Sequence, residues 1–496
     1  MNEILRASPR RGRLADKLLE VTLCFAVVGL TFAAIWQPVD AISLQSAANY
    51  GEGWNATNAA RVAEGLALYS GQDQFFSSNY PPLYHQLLSV VAGSGHDVIA
   101  FGRWLSLASM LVAGVLAGLT VGSWTRSPPA GVMTGALLIA LPAAHASGYV
   151  ATNDPTWLAH ALMMSGLFLL WPLGRVGRGA SAGRIAISAL LIVSGGFFKH
   201  NLLPLPLAVS LWFWTFDRRL AGIWVLWLIG LATVGFIAAT AFYGTVFLEA
   251  LLRTPRTFSL GWTVASAWTV KWTGLAATAL LFHLRLHKNR ESTRFATTYL
   301  FSAGAIGLLL AGGGGVADNI WFDLHFAVAI GLGLSWGLRD EETTRRVRSG
   351  VVPPALTCVL LLAVSSDVMQ RVSVASFAAR QSREVQALSD IQLVRSTSGH
   401  VVCTDLALCY RAGKLSPVDV YGVQQRLLTG VVGPDELVRF LIAQDVELIQ
   451  LAMPGRSSWP ELPAGAIDRV KQFYAPDGES GVMYFLRRRS ASAPEK

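Results

Sequence analysis

The stretch HDVIAFGRWLSLASMLVAGVLAGLTV, residues 96–121, has ionisable side chains only at His96, Asp97 and Arg103, and it is uncharged from Trp104 to Val121. A helix needs roughly 20 residues to cross the hydrocarbon core of a bilayer. The stretch is long enough to do so, and its polar end would then lie at one membrane surface. It predicts a membrane-spanning helix with charged groups at one end only.

The rest of the chain repeats this pattern. Of its 496 residues, 52% are hydrophobic and 14% are charged, whereas about a quarter of the residues in a soluble domain are charged. We therefore predict a polytopic α-helical membrane protein with about eleven spans. The predicted spans cover residues 18–36, 96–121, 130–147, 154–172, 185–198, 201–216, 221–243, 265–283, 295–312, 321–338 and 350–366. The first run follows a basic leader but lacks a small-residue cleavage site, which argues against a cleavable signal peptide.

The distribution of positive charge predicts the topology. The net charge is +9, and the basic residues lie in the N-terminal leader and in alternate loops. These residues are Arg6, Arg10, Arg11, Arg13 and Lys17; Arg126; Arg175, Arg178 and Arg184; Arg218 and Arg219; Arg285, Lys288, Arg290 and Arg294; and Arg339, Arg345, Arg346 and Arg348. By the positive-inside rule they are cytoplasmic, and an odd number of spans places the C-terminal tail outside. The remaining loops and their flanks carry only Arg61, Arg103, Lys199, Arg253, Arg256 and Lys271. We expect no nucleic-acid partner.

Two domains are predicted. Residues 1–370 form the membrane module, with a long first outer loop at 37–95, and residues 371–496 form a small extracytoplasmic α/β domain. In the loop, EGWNATNAARVAEGLALY predicts an amphipathic helix that lies along the membrane interface. In the tail, strands are predicted at 400–403, 446–451 and 481–486 and a helix at 434–444.

The four cysteines indicate no zinc site. Cys24 and Cys358 fall within predicted spans, where packing is the simplest role. Cys403 and Cys409 both lie in the outer tail, where a disulfide would persist. The alternative is a pair of free or buried thiols.

Polar residues gather at the predicted outer ends of the spans. Lys199 and His200 interrupt the apolar stretch GGFFKHNLLPLP, residues 195–206, at an outer turn where the positive-inside rule disfavours a lysine. The others are Asp40, Glu52, Asn79, Tyr80, His85, Arg103, Asn153, Asp154, Asp318, Asn319, Asp323 and His325. Simpler roles exist for several of them, such as an N-cap for Asp154 or snorkelling to lipid headgroups for Lys199. Together they predict a pocket at the outer membrane surface, because ionisable groups near membrane depth tend to mark function.

Such a pocket suits transfer of a sugar from a lipid carrier. A carboxylate can act as a general base on an acceptor hydroxyl, and cations can hold a phosphate at the lipid–water boundary. The same cations would stabilise the charge that develops on a leaving phosphate.

Several motifs resemble the bacterial membrane glycosyltransferases of the GT-C superfamily, in the branch of glycosyltransferase family 39, the protein mannosyltransferases and the aminoarabinose-transferase-like enzymes. They are EGWNATNAARVAEGLALY, NYPPLYHQLL, FGRWLSLASML, VATNDPTWLAHALMMSGLFLL, GFFKHNLLPLPLA, DNIWFDLHFAVAIGLGL and CTDLALCYRAGKLSPVDVYGVQQRLLTG. The resemblance implies a multi-pass enzyme of the bacterial cytoplasmic membrane. It would transfer a sugar with inversion from a polyprenyl-phosphate donor to an acceptor lipid, glycan or protein on the outer face.

The resemblance also implies roles for individual residues. Glu52 would be the catalytic base, with Asp40 as the second choice; relatives carry an acidic pair here, whereas this chain has Gly51 before Glu52. Asp154 would orient a substrate or help to bind a divalent metal ion, whose requirement stays open. Lys199, together with Arg103, would bind the donor phosphate. The pocket would be lined by Asn79, Tyr80, His200, Asp323 and His325.

Other function classes remain open. A secondary transporter would typically show internal repeats and a site at the bilayer midplane, and neither feature is evident. A polymerase or ligase of diphosphate-linked glycans would be expected to carry its large outer loop late in the bundle, whereas here the long loop comes first. An inactive relative that scaffolds a complex is a further alternative.

Overall fold

The computed structural model describes residues 9–71, 75–170, 182–286, 290–337, 351–455 and 459–489, with side chains from Lys17 onward except at position 374. The basic leader before Lys17 and the predicted basic loops at 171–181, 287–289 and 338–350 lie outside the described side chains.

The described chain is mostly helical, with one sheet near its C-terminus. The helices are α1 Pro9–Asp40, α2 Tyr50–Ala63, α3 Leu83–Gly93, α4 Val98–Thr125, α5 Pro128–His145, α6 Thr156–Leu170, α7 Ala182–Phe198, α8 Pro204–Phe216, α9 Arg218–Tyr243, α10 Val246–Leu252, α11 Leu260–Thr269, α12 Lys271–Arg285, α13 Glu291–Leu310, α14 Phe322–Gly337, α15 Val352–Arg371, α16 Val374–Ser396, α17 Leu406–Arg411, α18 Val420–Leu428, α19 Pro434–Ala443 and α20 Ala464–Lys471. Short 3-10 turns lie at Ala41–Ser43, Ser147–Tyr149 and Asp318–Trp321.

Five helical segments in the described ranges are long and apolar enough to cross a membrane: Lys17–Ser43, Val98–Thr125, Arg218–Tyr243, Asp318–Gly337 and Val352–Arg371. They make the chain a multi-pass membrane protein. Helices α6, α7 and α8 match three predicted spans, but they are only 15, 17 and 13 residues long. The count of eleven spans and the orientation therefore stay predictions.

Glycines bring two bundle helices close together. A Cβ on Gly118 of α4 would lie 2.8 Å from the carbonyl oxygen of Gly131 on α5, and one on Gly135 would lie 2.7 Å from that of Gly114. Small residues spaced four apart allow this approach, and close packing drives helix association in lipid. Because α4 also packs on α6, and α6 on α7, the polar ends of these three helices are held side by side.

The tail forms a four-stranded sheet with strand order β1-β2-β4-β3, built from β1 His400–Cys403, β2 Val446–Ala452, β3 Tyr474–Ser480 and β4 Met483–Arg488. Strand β1 is parallel to β2, and the other two pairs are antiparallel. The three predicted strands and the predicted helix at 434–444 are confirmed. Strand β3 was not predicted, because Pro476 and Gly478 are typical of a turn; both are tolerated on an edge strand. Cys403 and Cys409 form a disulfide. The domain boundary at 370 stays a prediction.

The prediction that the helix in the first loop lies along the membrane interface is wrong. In α2 every residue from Glu52 to Ala59 is buried, and the helix packs against α3, α4 and α17. A Cβ on Gly53 would lie 2.0 Å from the backbone nitrogen of Ala407, so the missing side chain lets α17 of the C-terminal domain rest directly on α2. The apolar spacing is the same whether a helix faces lipid or protein, which is why the pattern could not distinguish the two.

Candidate active site

The first buried ion pair joins the first loop to α4. Glu52 is 0% exposed, and both of its carboxylate oxygens accept from Arg103: Oε1 from Nε and Oε2 from Nη2, each at 2.7 Å. Two backbone N–H groups complete the set, that of Asn153 to Oε1 at 3.0 Å and that of Ala48 to Oε2 at 2.7 Å. A buried charge needs partners of this kind, because an uncompensated one is strongly destabilising. The Glu52 carboxylate is thus fully engaged.

Arg103 is also saturated. Its Nη1 group donates to the carbonyl oxygens of Ala41, Ile42 and Leu44, and Nη2 donates to that of Ser46. With the bonds to Glu52, each nitrogen of the guanidinium is occupied. The arginine therefore fixes the segment that leads from α1 into α2, and no N–H is left over for a phosphate.

Asn153 connects this pair to a second one. Its side-chain Nδ2 donates to the backbone oxygen of Glu52 at 3.2 Å, and its Oδ1 accepts from the Tyr84 hydroxyl at 2.8 Å. Asn55 of α2 donates to the backbone oxygen of Asn153 at 2.8 Å and contacts His85 Nε2 at 3.2 Å. Burial lowers the pKa of His85 to about 3, so this histidine is neutral. The network sets the position of the next residue, Asp154.

The second buried ion pair lies between the start of α6 and the end of α7. Asp154 Oδ1 accepts from the backbone N–H of Thr156 at 2.8 Å, as an N-cap does, and also from the Thr156 hydroxyl. Lys199 Nζ donates to Asp154 Oδ1 at 3.3 Å and to Thr156 Oγ1 at 2.6 Å. Asn319 Nδ2 donates to the same hydroxyl at 3.2 Å. Among the described residues, Asp154 Oδ2 accepts no hydrogen bond.

Two rings follow one another from the lysine, those of Tyr80 and His200. Lys199 Nζ lies 5.7 Å from the ring centroid of Tyr80, and that ring lies 5.7 Å from the ring of His200. Burial tends to lower the pKa of Lys199, but Asp154 and Tyr80 outweigh it and raise the pKa, so the ammonium stays charged. Burial lowers the pKa of His200 to about 4, and the charge of Arg256 adds to the effect.

The C-terminal domain covers this region. Asp419, which is 5% exposed, accepts from the hydroxyl of Tyr50 and from Trp54 Nε1 at 3.3 Å, both on α2. Burial raises the pKa of Asp419. Tyr421 lies with its ring centroid 6.1 Å from that of Tyr50. The domain is thus bound to the helix that carries Glu52.

Other residues selected from the sequence lie apart from Lys199. The carboxylate of Asp40, with a side chain 52% exposed, faces Arg380 at 3.7 Å. Asp323 accepts from the Tyr299 hydroxyl at 2.7 Å, and His325 Nδ1 contacts Thr273 Oγ1 at 3.2 Å. Asn79 lines a cleft against the C-terminal domain. The structure therefore brings together Asp154, Lys199, Tyr80 and His200, and separately Glu52 and Arg103.

Three contributors were not selected from the sequence. Thr156 carries no charge, and Tyr421 is an ordinary aromatic residue of a soluble-looking domain. Arg256 carried a signal: it is a basic residue in a predicted outer loop, as Lys199 is. Among the described residues, no group of three histidine, cysteine or acidic side chains could hold a metal ion, and the question of a metal requirement stays open.

No protein-family model and no curated protein sequence matches the chain. Two crystal structures of ArnT from Cupriavidus metallidurans, in the apo state and bound to undecaprenyl phosphate, match with 11% and 10% identity and TM-scores of 0.58 and 0.57. Each match covers 98% of this chain and 100% of the other. The Archaeoglobus fulgidus oligosaccharyltransferase tethered with an acceptor peptide matches with 10% identity and a TM-score of 0.53, over 97% of this chain and 74% of the other.

Both similar proteins are membrane glycosyltransferases of the GT-C superfamily. At such identities the likeness shows the fold: this chain has the GT-C fold, as the motifs predicted. The activity and the roles of single residues require their own argument.

Proposed function

We propose that the protein is a glycosyltransferase that moves a sugar from a polyprenyl-phosphate donor to an acceptor on the outer face of the bacterial cytoplasmic membrane. The observation that carries the proposal is the buried Asp154–Lys199 pair, in which Asp154 Oδ2 accepts no hydrogen bond among the described residues and the ammonium stays charged. The similarity to a fold that binds undecaprenyl phosphate in ArnT supports the donor class.

Lys199 is the proposed ligand of the donor phosphate. Two of its three N–H groups bind Asp154 and Thr156, and a phosphate oxygen would compete with the Tyr80 side chain for the third. A charged donor in a buried site strengthens such a bond, because the local dielectric is low. Arg256, which is exposed and whose charge reaches His200, is the second proposed cation. The donor's hydrocarbon chain would lie in the bilayer.

Asp154 is the proposed base. Its Oδ2 would remove the proton of an acceptor hydroxyl while that oxygen attacks the anomeric carbon. The bond from this carbon to the phosphate oxygen breaks, and the electron pair leaves with the polyprenyl phosphate, where Lys199 stabilises the developing charge. Attack opposite the leaving group inverts the anomeric centre. Glu52, the base that the family resemblance implies, accepts four hydrogen bonds and would instead position Asp154 through Asn153.

The proposed route for the acceptor is the cleft between the first loop, the α10–α11 connection and α18. Ser70, Ser77, Asn79, Arg253 and Tyr421 are among its lining residues. Hydroxyl, amide and aromatic groups in one cleft suit a sugar or another hydroxyl-bearing acceptor. Asn79 of this lining directly precedes Tyr80, whose ring lies 5.7 Å from Lys199 Nζ.

The test uses undecaprenyl phosphate as a binding probe and a deletion strain as an activity readout. We expect the purified protein to bind undecaprenyl phosphate and Lys199→Met to weaken binding at least tenfold, while Lys271→Met, at an exposed lysine, leaves it unchanged. We expect Asp154→Asn to keep binding but to lose transfer by about 10³-fold, as for removal of a general base. It would then fail to restore the surface glycan or lipid that the deletion strain lacks. Failure of the wild-type protein to bind undecaprenyl phosphate would contradict the proposed function.

A further inference from the structure

The segment that carries Arg253 and Arg256 is irregular. Residues 253–259, here called the arginine loop, connect α10 to α11 without helix and with a single isolated bridge at Phe258. Both arginines are exposed, and within the described chain neither forms an ion pair. An exposed loop of this kind has no internal hydrogen bonds that would fix its cations, so its position must come from its neighbours.

A glycine turn supplies one side of the support. The backbone N–H of Ser259 donates to the carbonyl oxygen of Gly312 at 2.9 Å, and that of Gly314 donates to Thr257 at 2.7 Å. The glycine run Gly312–Gly315 lies where the arginine loop and α18 meet. A Cβ on Gly314 would lie 2.4 Å from Gln425 Oε1, and one on Gly315 would lie 2.2 Å from the Tyr421 hydroxyl oxygen. Side chains here would push α18 away.

Helix α18 of the C-terminal domain supplies the other side. Gln425, which is 3% exposed, accepts at Oε1 from both the backbone N–H and the hydroxyl of Thr257, each at 3.1 Å. Tyr421, one turn earlier, donates from its hydroxyl to the carbonyl oxygen of Gly314 at 2.8 Å. One helix therefore holds the arginine loop and the glycine turn at once, and the contact to the loop is made at the residue directly after Arg256.

We propose that Gln425 is a positioning residue that fixes Arg256 for contact with the donor phosphate, so that the C-terminal domain takes part in donor binding. Gln425 holds Thr257, the residue next to Arg256, and Tyr421 of the same helix lies with its ring 6.1 Å from that of Tyr50 on the helix that carries Glu52. The charge of Arg256 acts on Tyr421 and on His200, in agreement with this arrangement. This inference rests on the proposed function for its ligand, but the hold of α18 on the loop is independent of any ligand.

The test compares two substitutions at one position. Gln425→Met keeps the length of the side chain but removes the acceptor, whereas Gln425→Glu keeps an oxygen for both donors on Thr257. We expect Gln425→Met to raise amide hydrogen exchange across residues 253–259 at least tenfold and Gln425→Glu to retain most of the protection. Tyr421→Phe, which removes only the bond to Gly314, is the milder variant if Gln425→Met does not fold.

Affinity for undecaprenyl phosphate then separates positioning from general stability. We expect Gln425→Met and Arg256→Met each to weaken binding about tenfold, and the double variant to be no weaker than Arg256→Met alone, because the two residues act through one contact. Additive losses, or unchanged exchange in the loop, would overturn the proposal. If the wild type does not bind undecaprenyl phosphate, both the proposed function and the role of Arg256 are contradicted. The amide hydrogen exchange of residues 253–259 then still decides whether Gln425 holds the arginine loop.

Discussion

Two buried ion pairs, Glu52–Arg103 and Asp154–Lys199, lie at the same end of the helix bundle and are connected through Asn153, but they are built differently. Glu52 meets Arg103 through two parallel bonds of 2.7 Å, and backbone N–H groups occupy the remaining positions of the carboxylate. Asp154 meets Lys199 through one bond of 3.3 Å to a single oxygen, and within the described chain its second oxygen has no partner. The first pair is closed and the second is open.

The difference separates structure from chemistry. A carboxylate that already accepts four hydrogen bonds has no lone pair for a substrate proton, and bringing it into reaction would leave a buried arginine unpaired. A carboxylate with one free oxygen can exchange a proton while its other oxygen keeps its orientation. We infer that the closed pair holds the first loop and the open pair is the reactive one, and three experiments test this division.

The largest expected effect comes from neutralising the closed pair. We expect Glu52→Gln to lower the free energy of unfolding by about 3–5 kcal/mol, because it leaves a buried guanidinium without its counter-charge. The turnover of the molecules that remain folded should stay within about tenfold of the wild type, well above that of an enzyme without its general base. The measurements are the thermal midpoint in detergent and turnover normalised to folded protein.

A matched variant gives the contrast. Asp154→Asn changes charge in the same way at the open pair and leaves the buried Lys199 ammonium without its counter-charge, so a loss of stability is expected there too. Turnover normalised to folded protein separates the two variants: we expect Asp154→Asn to lose it by about 10³-fold, whereas Glu52→Gln keeps it within about tenfold. The reverse result, a stable Glu52→Gln protein without activity, would return the base to Glu52, as the sequence resemblance first suggested.

A smaller effect is expected in the pH dependence of stability, through Asp405 of the C-terminal domain. Asp405 accepts from the backbone N–H of Ala407 at the start of α17. Burial raises the pKa of Asp405 to about 6, and the charge of Glu52 adds to the rise. An unfolded chain releases this proton near pH 4, so the folded state binds more protons between about pH 4 and pH 6. The free energy of unfolding should therefore fall as pH rises through this window.

Asp405→Asn should remove this fall, which amounts to at most about 3 kcal/mol. Asp435→Asn, at an exposed acid of α19, is the control and should keep it. Thermal midpoints in detergent from pH 4 to pH 7 supply the comparison, and identical slopes in all three proteins would show that Asp405 does not titrate in this range.

Much of the fold could be predicted because its signals are local. Apolar runs such as residues 96–121 identify helices whatever they pack against, and the short, mainly apolar run VELIQL, residues 446–451, identifies a buried strand. The environment of α2 could not be predicted from the same kind of signal. Trp54 and Ala59 fall on a helical face that would suit either a membrane or a covering domain, and only the contact of Ala407 with Gly53 decides between them.

The site was predictable as a group of residues but not as pairs. Glu52, Arg103, Asp154 and Lys199 stood out because charges near apolar spans are costly. Their pairing depends on which helices are neighbours, and α4, α6 and α7 are joined by packing that no single segment encodes. Thr156 bridges Lys199 and Asp154 through an uncharged hydroxyl, and nothing in its sequence context distinguished it from an ordinary first residue of a helix.

The smallest expected effect concerns Asp40, which the family resemblance gave as the second choice for the catalytic base. It ends α1 and faces Arg380 at 3.7 Å with half of its side chain exposed. A pair of this kind contributes about 0–1 kcal/mol, and no route of hydrogen bonds in the described chain joins Asp40 to Lys199. We expect Asp40→Asn to change turnover less than twofold and to leave the thermal midpoint nearly unchanged. Loss of turnover on the scale of Asp154→Asn would mean that the first loop rearranges when substrate binds, and the division into a closed and an open pair would then hold only for the free protein.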